Sequence, residues 1–187
     1  MKTIKNTLVI AFALTLASFT TISDKKVNVK ESTITWKGYK ITGAHEGTID
    51  LKEGALTFNN DALTGGHFIM DMTSINTTDL EGESKGKLDG HLKSADFFGT
   101  DAHPTADLKI TNVVSNGNTY TVTGDLTIKN ITNPVTFTMD VKDNTATATV
   151  KIDRTKFDIK YGSASFFDGL KDKAISNEFD INVNLVF

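Results

Sequence analysis

The chain contains no cysteine, only 2 prolines and a single tryptophan among its 187 residues. Without cysteine it can form no disulfide, no thiolate metal cluster, no thiol nucleophile and no lipid-modified N-terminal cysteine. Arginine is nearly as scarce, since Arg154 is the one arginine among 20 basic side chains. The formal net charge of −3 shows no basic excess, so the composition indicates no nucleic-acid partner. Hydrophobic residues make up 39% and charged residues 23%, which fits one soluble globular domain.

The N-terminal segment, residues 1–21, differs from the rest of the chain. Lys2 and Lys5 precede the uncharged apolar run 7–16, and small residues follow it. This order is typical of a secretory signal peptide, and the run is short for a membrane span. We therefore predict a signal peptide over residues 1–21 and a mature domain over residues 24–187 in the periplasm or outside the cell. Loss of both lysines changes the net charge from −3 to −5.

Alternation of apolar and polar residues dominates the mature chain. In the segment 121–128, Val122, Leu126 and Ile128 fall on one face and threonines fall on the other. This period of two predicts half-buried strands, and we count at least eight of them. Turn signals separate the strand patterns at Glu53-Gly54, Thr64-Gly65-Gly66, Asn116-Gly117-Asn118 and Asp143-Asn144.

One segment, residues 81–94, breaks the alternation and places Leu88 and Leu92 four residues apart. This spacing predicts a short helix, which three glycines weaken. Antiparallel strands with one apolar face form either a two-sheet sandwich or a closed barrel. A barrel of about eight strands is either filled by side chains or holds one ligand. Small inward residues such as Ala146 and Ala148 favour empty volume, while a fully packed core is the alternative.

Catalytic motifs are missing from the sequence. The four histidines, His45, His67, His91 and His103, do not have the spacing of a metal-binding helix motif. There is no nucleophile elbow, phosphate-binding loop or dinucleotide fingerprint. We therefore expect a binding protein, not an enzyme, with no cofactor and no metal. A hydrolase would have His45 and His91 as its best candidates.

Three segments resemble signatures of the YceI-like family. They are residues 91–98 (HLKSADFF) with 103–106 (HPTA), residues 124–135 (GDLTIKNITNPV), and residues 152–162 (IDRTKFDIKYG). Their order is that of the family, and the similarity extends over nearly the whole mature chain. The departures are Asn130 where glycine is usual, His103 where tyrosine is usual, and Asp158, which is displaced by one position.

The resemblance implies an all-β, lipocalin-like antiparallel barrel with a short helix. It also implies an extracytoplasmic bacterial protein that holds a long apolar chain, typically a polyisoprenoid or an isoprenoid quinone. On this basis we favour a ligand tunnel over a packed core. The residues expected to line the tunnel are Phe58, Phe68, Met70, Leu126, Ile128, Phe137, Met139, Ala148 and Val150.

Aromatic and polar residues would complete this site. Two aromatic pairs, Phe97-Phe98 and Phe166-Phe167, would gate the entrance or else plug an ordinary core. Polar residues at the mouth would choose the head group of the ligand, and His45, His91 and Arg154 are the candidates. For Arg154 the alternative is an ion pair that closes a loop on the barrel.

The expected partner is a long-chain isoprenoid or another lipid, with membrane contact only for lipid exchange. The oligomeric state stays open, and a homodimer is one option. The alternative function is a β-sandwich module that binds carbohydrate or protein without a lipid ligand. Such a module needs exposed aromatic residues on a flat face, whereas Trp36 is the only tryptophan and few aromatic residues fall outward.

Overall fold

The computed structural model describes residues 21–117 and 119–187. The predicted signal peptide therefore lies outside the described residues except for Thr21. Asn118, the last residue of one predicted turn, also lies outside them.

Nine strands, one α-helix and two short 3-10 helices make up the described part of the chain. The strands are β1 (Ile22–Lys26), β2 (Thr33–Lys40), β3 (Gly43–Asn59), β4 (Ala62–Thr77), β5 (Thr105–Asn116), β6 (Thr119–Ile128), β7 (Ile131–Lys142), β8 (Thr145–Asp153) and β9 (Ile175–Val186). The helix α1 covers Gly82–Lys93, and the 3-10 helices cover Arg154–Phe157 and Lys171–Lys173.

The strands close into an antiparallel barrel. Hydrogen-bonded neighbours follow the order β1-β3-β2-β9-β8-β7-β6-β5-β4, and β4 pairs again with β3. Two short strands share one edge of the 17-residue β3, because β1 pairs with its residues 55–59 and β2 with its residues 43–48. The nine strands therefore fill eight positions around the barrel. This confirms the predicted barrel with a short helix and excludes the two-sheet sandwich.

The inward and outward faces of the strands follow the predicted alternation. On β6, Val122, Leu126 and Ile128 are buried. On β8, Ala146 and Val150 are buried while the intervening threonines are exposed. Apolar side chains from all around the barrel thus meet in one continuous core.

Two of the predicted turns are confirmed and two are wrong. Asn116-Gly117 lies in the β5–β6 hairpin, and Asp143-Asn144 joins β7 to β8. In contrast, Glu53-Gly54 lies inside β3, and residues 64–66 lie inside β4. The chain turns instead at residues 60–61, where Asn60 has a φ of 54°.

The glycines within β3 and β4 make room for close packing. A Cβ at Gly54 would lie 2.7 Å from Cδ1 of Phe68, and a Cβ at Gly66 would lie 2.7 Å from the carbonyl oxygen of Ala55. The β3–β4 register also shifts near both glycines. Bulges and glycines of this kind bend long strands around a barrel, so the same residues that resemble turn signals allow curvature here.

The alternating strand directions place the connections at two ends of the barrel. Helix α1, the segment 94–104, the connection 154–174 and the β2–β3 turn lie at one end, which we call the helix end. The turns after β3, β5 and β7 lie at the opposite end, which we call the hairpin end.

Candidate ligand-binding cavity

An internal cavity of about 170 Å³ lies inside the barrel. One water needs roughly 10–15 Å³ of such space, so the cavity is far larger than a packing defect. The wall residues that the structure describes present apolar atoms to it. A cavity without polar partners does not hold ordered water and suits an apolar ligand.

The structure brings together eleven of the residues predicted for the site. They line the cavity, and they are Phe68, Met70, Phe97, Phe98, Leu126, Ile128, Phe137, Met139, Ala148, Val150 and Arg154. The other five, Phe58, Phe166, Phe167, His45 and His91, lie outside the wall.

Sequence reasoning missed a part of the wall that β2 and β9 supply. Trp36 from β2 and Phe179, Ile181 and Val183 from β9 line the cavity. The β9 residues share one face of an alternating pattern, so the period of two could have included them. Trp36 is held in place by its indole N–H, which donates to the carbonyl of Thr48 at 3.2 Å.

Phe58 belongs to the hairpin end and not to the wall. Its ring centroid lies 5.7 Å from that of Phe187, and the Nζ atom of Lys25 lies 4.9 Å from its ring. Phe58 therefore packs at the hairpin end, outside the wall of the cavity.

His45 lies on the outside of the helix end. Its Nδ1 atom lies 2.9 Å from Oδ2 of Asp79, so it ties β3 to the segment that follows β4. Partial burial raises the pKa of Asp79, but hydrogen bonds from His45 and from the N–H of Glu46 outweigh that effect and lower it. In this position His45 links two surface segments.

A chain of rings in mainly edge-to-face contact lies at the helix end. The ring of His91 lies 4.4 Å from that of Tyr161 and 5.4 Å from that of Phe97. Phe97 lies 5.0 Å from Phe98, which lies 6.2 Å from Phe179. The rings lead from the exposed Tyr161 to the buried wall of the cavity.

Arg154 lies next to these rings and is only 2% exposed. Its guanidinium donates to the carbonyls of Ile159 at 2.7 Å, Ser176 at 2.9 Å and Ile175 at 3.1 Å. Among the described residues the ion pairs do not include Arg154, so the expected loop-closing ion pair is wrong. The guanidinium carbon lies 5.5 Å from the ring centroid of Phe97.

Burial lowers the pKa of Arg154, and the negative charge of Asp153 opposes that effect. Arginine remains charged in proteins, so a buried cation lies beside the apolar wall. The dipoles of the three backbone carbonyls that accept its hydrogen bonds compensate for burying this positive charge. Arg154 thus fixes the connection 154–174 to the start of β9.

Helix α1 is attached to the barrel by both polar and apolar contacts. Nζ of Lys85 donates to Oδ1 of Asn76 at 2.6 Å, to the carbonyl of Thr77 at 2.8 Å and to Oδ2 of Asp89 at 2.7 Å. Oδ1 of Asp89 in turn accepts the N–H of Thr77 at 2.8 Å. Leu92 is the buried residue of the helix. Leu92 also lines the cavity, and Leu88 packs against the core.

Two further properties concern the described residues as a whole. Within residues 21–117 and 119–187, no three or more histidine, aspartate or glutamate side chains gather as they would around a metal ion. In the same part of the chain, no helix has the length and hydrophobicity needed to cross a membrane.

The barrel is similar to two solved structures. BcnA of Burkholderia cenocepacia matches with a TM-score of 0.69 and 20% identity, covering 86% of this chain and 99% of that chain. A polyisoprenoid binding domain from Saccharophagus degradans, implicated in plant cell wall breakdown, matches with a TM-score of 0.60 and 11% identity, covering 86% and 95%. At these identities the likeness shows the fold alone.

Sequence comparison adds relatives of known family. Protein YceI of Escherichia coli O157:H7 is 36% identical over 92 residues, which are 48% of this chain and 45% of the relative. The UPF0312 protein plu2095 of Photorhabdus laumondii is 35% identical over 91 residues, 48% of this chain and 44% of the relative. The match thus spans less than half the length of these curated relatives. The family model of the YceI-like domain, however, matches residues 25–187 of this chain, and the chain therefore belongs to the YceI-like family.

Proposed function

We propose that this protein is an exported lipid-binding protein that holds a long apolar chain of the polyisoprenoid or isoprenoid quinone type. The observation that carries the proposal is the cavity of about 170 Å³ with its apolar wall. A structural neighbour described as a polyisoprenoid binding domain supports this class of ligand. Tyr39, Arg154, Ser176 and Glu178 are among the lining residues, but the described wall presents apolar atoms to the cavity, which favours binding over catalysis.

The apolar tail would supply most of the affinity. Burial of each CH₂ group contributes about 0.8 kcal/mol. The wall residues of β9 run from Ile175 to Leu185. These ten steps of about 3.3 Å each give the wall a length of roughly 33 Å along which a chain can extend. Phe97 and Phe98 form the wall at the helix end, and their rings would move aside as the chain passes.

The signal pattern in residues 1–21 supports export to the periplasm or beyond the cell. An exported carrier without a cysteine for lipid attachment would reach a membrane only while it exchanges its ligand. We therefore propose a barrel that is free in the exported compartment and contacts membranes transiently.

The test of binding is to fill the cavity. Ala148 lines the wall of β8, whereas its neighbour Thr147 is exposed on the outer face of the same strand. We expect native mass spectrometry of the exported wild-type protein to show an apolar adduct, which solvent extraction removes and identifies. The variant Ala148→Phe should lose at least about nine-tenths of the adduct, because the added ring occupies the space of the tail.

The matched control is Thr147→Phe, which adds the same ring outside the barrel and should keep the adduct. A wild-type protein that carries no apolar adduct after export in its own host would contradict the proposal. Equal adducts in both variants would place the lipid outside the cavity and would contradict it as well.

A further inference from the structure

Seven large apolar side chains are exposed among the described residues, and four of them lie at the helix end, whereas Ile22, Val29 and Val114 lie elsewhere. Tyr161, Phe166 and Phe167 are 48%, 50% and 51% exposed, and all three lie in the connection between β8 and β9. Ile41, in the turn between β2 and β3, is 71% exposed. We call these four residues the apolar rim.

The apolar rim is continuous with the cavity wall. The N–H of Ile41 donates to the carbonyl of Ala174 at 3.4 Å, and the N–H of Ile175 donates to the carbonyl of Gly162 at 2.8 Å. The turn that carries Ile41 and the segment that carries the aromatic residues therefore meet around Ile175. Ile175 itself lines the cavity. An apolar molecule at the rim is thus next to the wall that would receive it.

The segment 158–174, which carries the three aromatic residues of the apolar rim, differs in net charge from the rest of the protein. Residues 158–174 contain three lysines and three aspartates, so their net charge is zero, whereas the chain after residue 21 carries −5. The excess negative charge therefore lies elsewhere on the surface. Near an anionic surface the barrel would turn its helix end toward that surface.

Lysine accompanies the aromatic residues within the rim. Nζ of Lys160 lies 5.3 Å from the ring centroid of Phe166 and 2.6 Å from Oδ1 of Asp158, with which it forms an exposed ion pair. A lysine that extends along an aromatic ring can keep its ammonium at the level of lipid phosphates while the ring enters the apolar layer. Tyrosine favours the same interface because its ring is apolar and its hydroxyl is polar.

We propose that the apolar rim is the surface with which this barrel contacts a phospholipid bilayer, so that the ligand passes between bilayer and cavity without crossing water. The inference rests on the proposed function, because an apolar chain that crosses water exposes every one of its methylenes. It adds to the transient membrane contact proposed above the residues that meet the phospholipid bilayer.

The first measurement is flotation with vesicles of phosphatidylethanolamine and phosphatidylglycerol. The double variant Phe166→Ser/Phe167→Ser should lower the vesicle-bound fraction of the full-length mature protein by about tenfold, since two exposed rings no longer enter the apolar layer. The control is Val114→Ser, because Val114 is 51% exposed on β5 near the hairpin end. This control should float like the wild type, and an equal loss in both variants would overturn the inference.

The second measurement separates this inference from the proposed function. The same variants, loaded with geranylgeraniol from detergent, should retain as much of this prenol as the wild type by mass, because neither changes the cavity wall. Transfer of geranylgeraniol from vesicles to the double variant should be about tenfold slower. Loading that fails in the wild type contradicts the proposed function, whereas normal loading with unchanged vesicle binding overturns only the inference about the rim.

Salt and self-association give two further outcomes. Because the contact is mainly apolar, most of the vesicle binding should persist at about 1 M salt, where charge interactions are screened within about 3 Å. Complete release by salt would mean adsorption by charge alone and would overturn the proposal. A wild-type dimer that the double variant converts to monomers, without change in vesicle binding, would identify the rim as a contact between two copies and would overturn it too.

Discussion

The imidazole of His91 packs between two aromatic rings, and this environment determines its charge. Burial lowers its pKa most strongly, the carboxylate of Asp96 partly opposes that effect, and the nearby guanidinium of Arg154 lowers the pKa further. His91 is therefore neutral in the folded protein at pH values where an ordinary histidine, with a pKa of about 6.5, begins to accept a proton.

This difference predicts a loss of stability on mild acidification. The unfolded chain binds a proton at residue 91 more readily than the folded protein, so the stability is fully present above about pH 6.5 and declines as pH falls toward the lower, folded pKa. The variant His91→Phe keeps a ring between Tyr161 and Phe97 but cannot titrate. We expect its free energy of unfolding, measured with urea between about pH 7.5 and pH 5.5, to fall less steeply than that of the wild type.

Carboxylates with lowered pKa values, such as Asp71 and Asp180, also contribute to stability, but they lose that contribution only at more acidic pH. The urea measurements on the wild type and His91→Phe therefore stay above the pH range in which these carboxylates titrate. Identical slopes for the wild type and His91→Phe would show that His91 does not set the pH dependence.

Arg154 illustrates which part of a residue's role the sequence can indicate. Arg154 is the one arginine of the chain, and it lies in the segment 152–162 that resembles a signature of the YceI-like family. Its hydrogen-bond partners, however, are backbone carbonyls, and two of them belong to residues 175 and 176, more than 20 positions away. Carbonyls are present in every residue, so no sequence pattern identifies them as partners.

At the scale of elements, adjacent glycines on β4 have different surroundings. A Cβ at Gly66 would lie 2.7 Å from the backbone carbonyl of Ala55, whereas at Gly65 the nearest atom, Cβ of Thr57, would be 3.7 Å away. We therefore expect Gly66→Ala to lower the free energy of unfolding by about 1–3 kcal/mol, because the backbone must shift. Gly65→Ala should change it by less than about 0.5 kcal/mol.

Urea denaturation of both variants is the measurement, and the comparison within one strand removes most effects of strand propensity. Equal destabilisation would mean that both glycines act through backbone conformation. That result would contradict the packing explanation for the glycines in β3 and β4.

The polar attachment of α1 also predicts a local effect. In Asp89→Ala, Lys85 loses one of its acceptors and the N–H of Thr77 loses its carboxylate partner. We expect the free energy of unfolding to fall by about 1–2 kcal/mol. Relative to the wild type, amide hydrogen exchange should speed up more in residues 82–93 than in the barrel strands. Glu83→Ala is the control, because its pair with Lys87 is on the exposed face, where Glu83 is 82% exposed, and such pairs contribute little. Unchanged exchange in Asp89→Ala would show that the other contacts of the helix, among them those of Leu88 and Leu92 with the core, are enough to hold it.

Strand faces were predictable from sequence because their period of two depends on residue type alone. The helix was predictable because it lacks that period. The sequence did not predict that β3 and β4 continue through their glycine-rich segments, because this depends on how tightly the two strands and the ring of Phe68 pack together. Residues with a turn composition therefore need their neighbours in space before they can be assigned to a turn or to a bend.

At the scale of the whole molecule, an empty cavity and a packed core use the same residue types. The inward positions of β6, β7 and β8 carry the same aliphatic and aromatic side chains in either case. Whether they meet at the centre depends on the radius of the barrel, which follows from eight strand positions and their tilt. Sequence reasoning therefore predicted most of the wall on these strands, and the resemblance to a family was needed to favour the cavity.

A ligand held in this cavity contributes to the stability of the barrel as a whole. A ligand that binds only the folded state stabilises it by about 2.7 kcal/mol when it is present at 100 times its Kd. For a domain of this size each 1 kcal/mol changes Tm by roughly 2–4 °C. Calorimetry should therefore show that solvent extraction of the bound lipid lowers Tm by about 5–10 °C, and that added lipid restores it. Ala148→Phe, whose cavity is filled, should show no change on extraction. A wild-type Tm that is unaffected by complete removal of the lipid would mean that the lipid is bound outside the folded core.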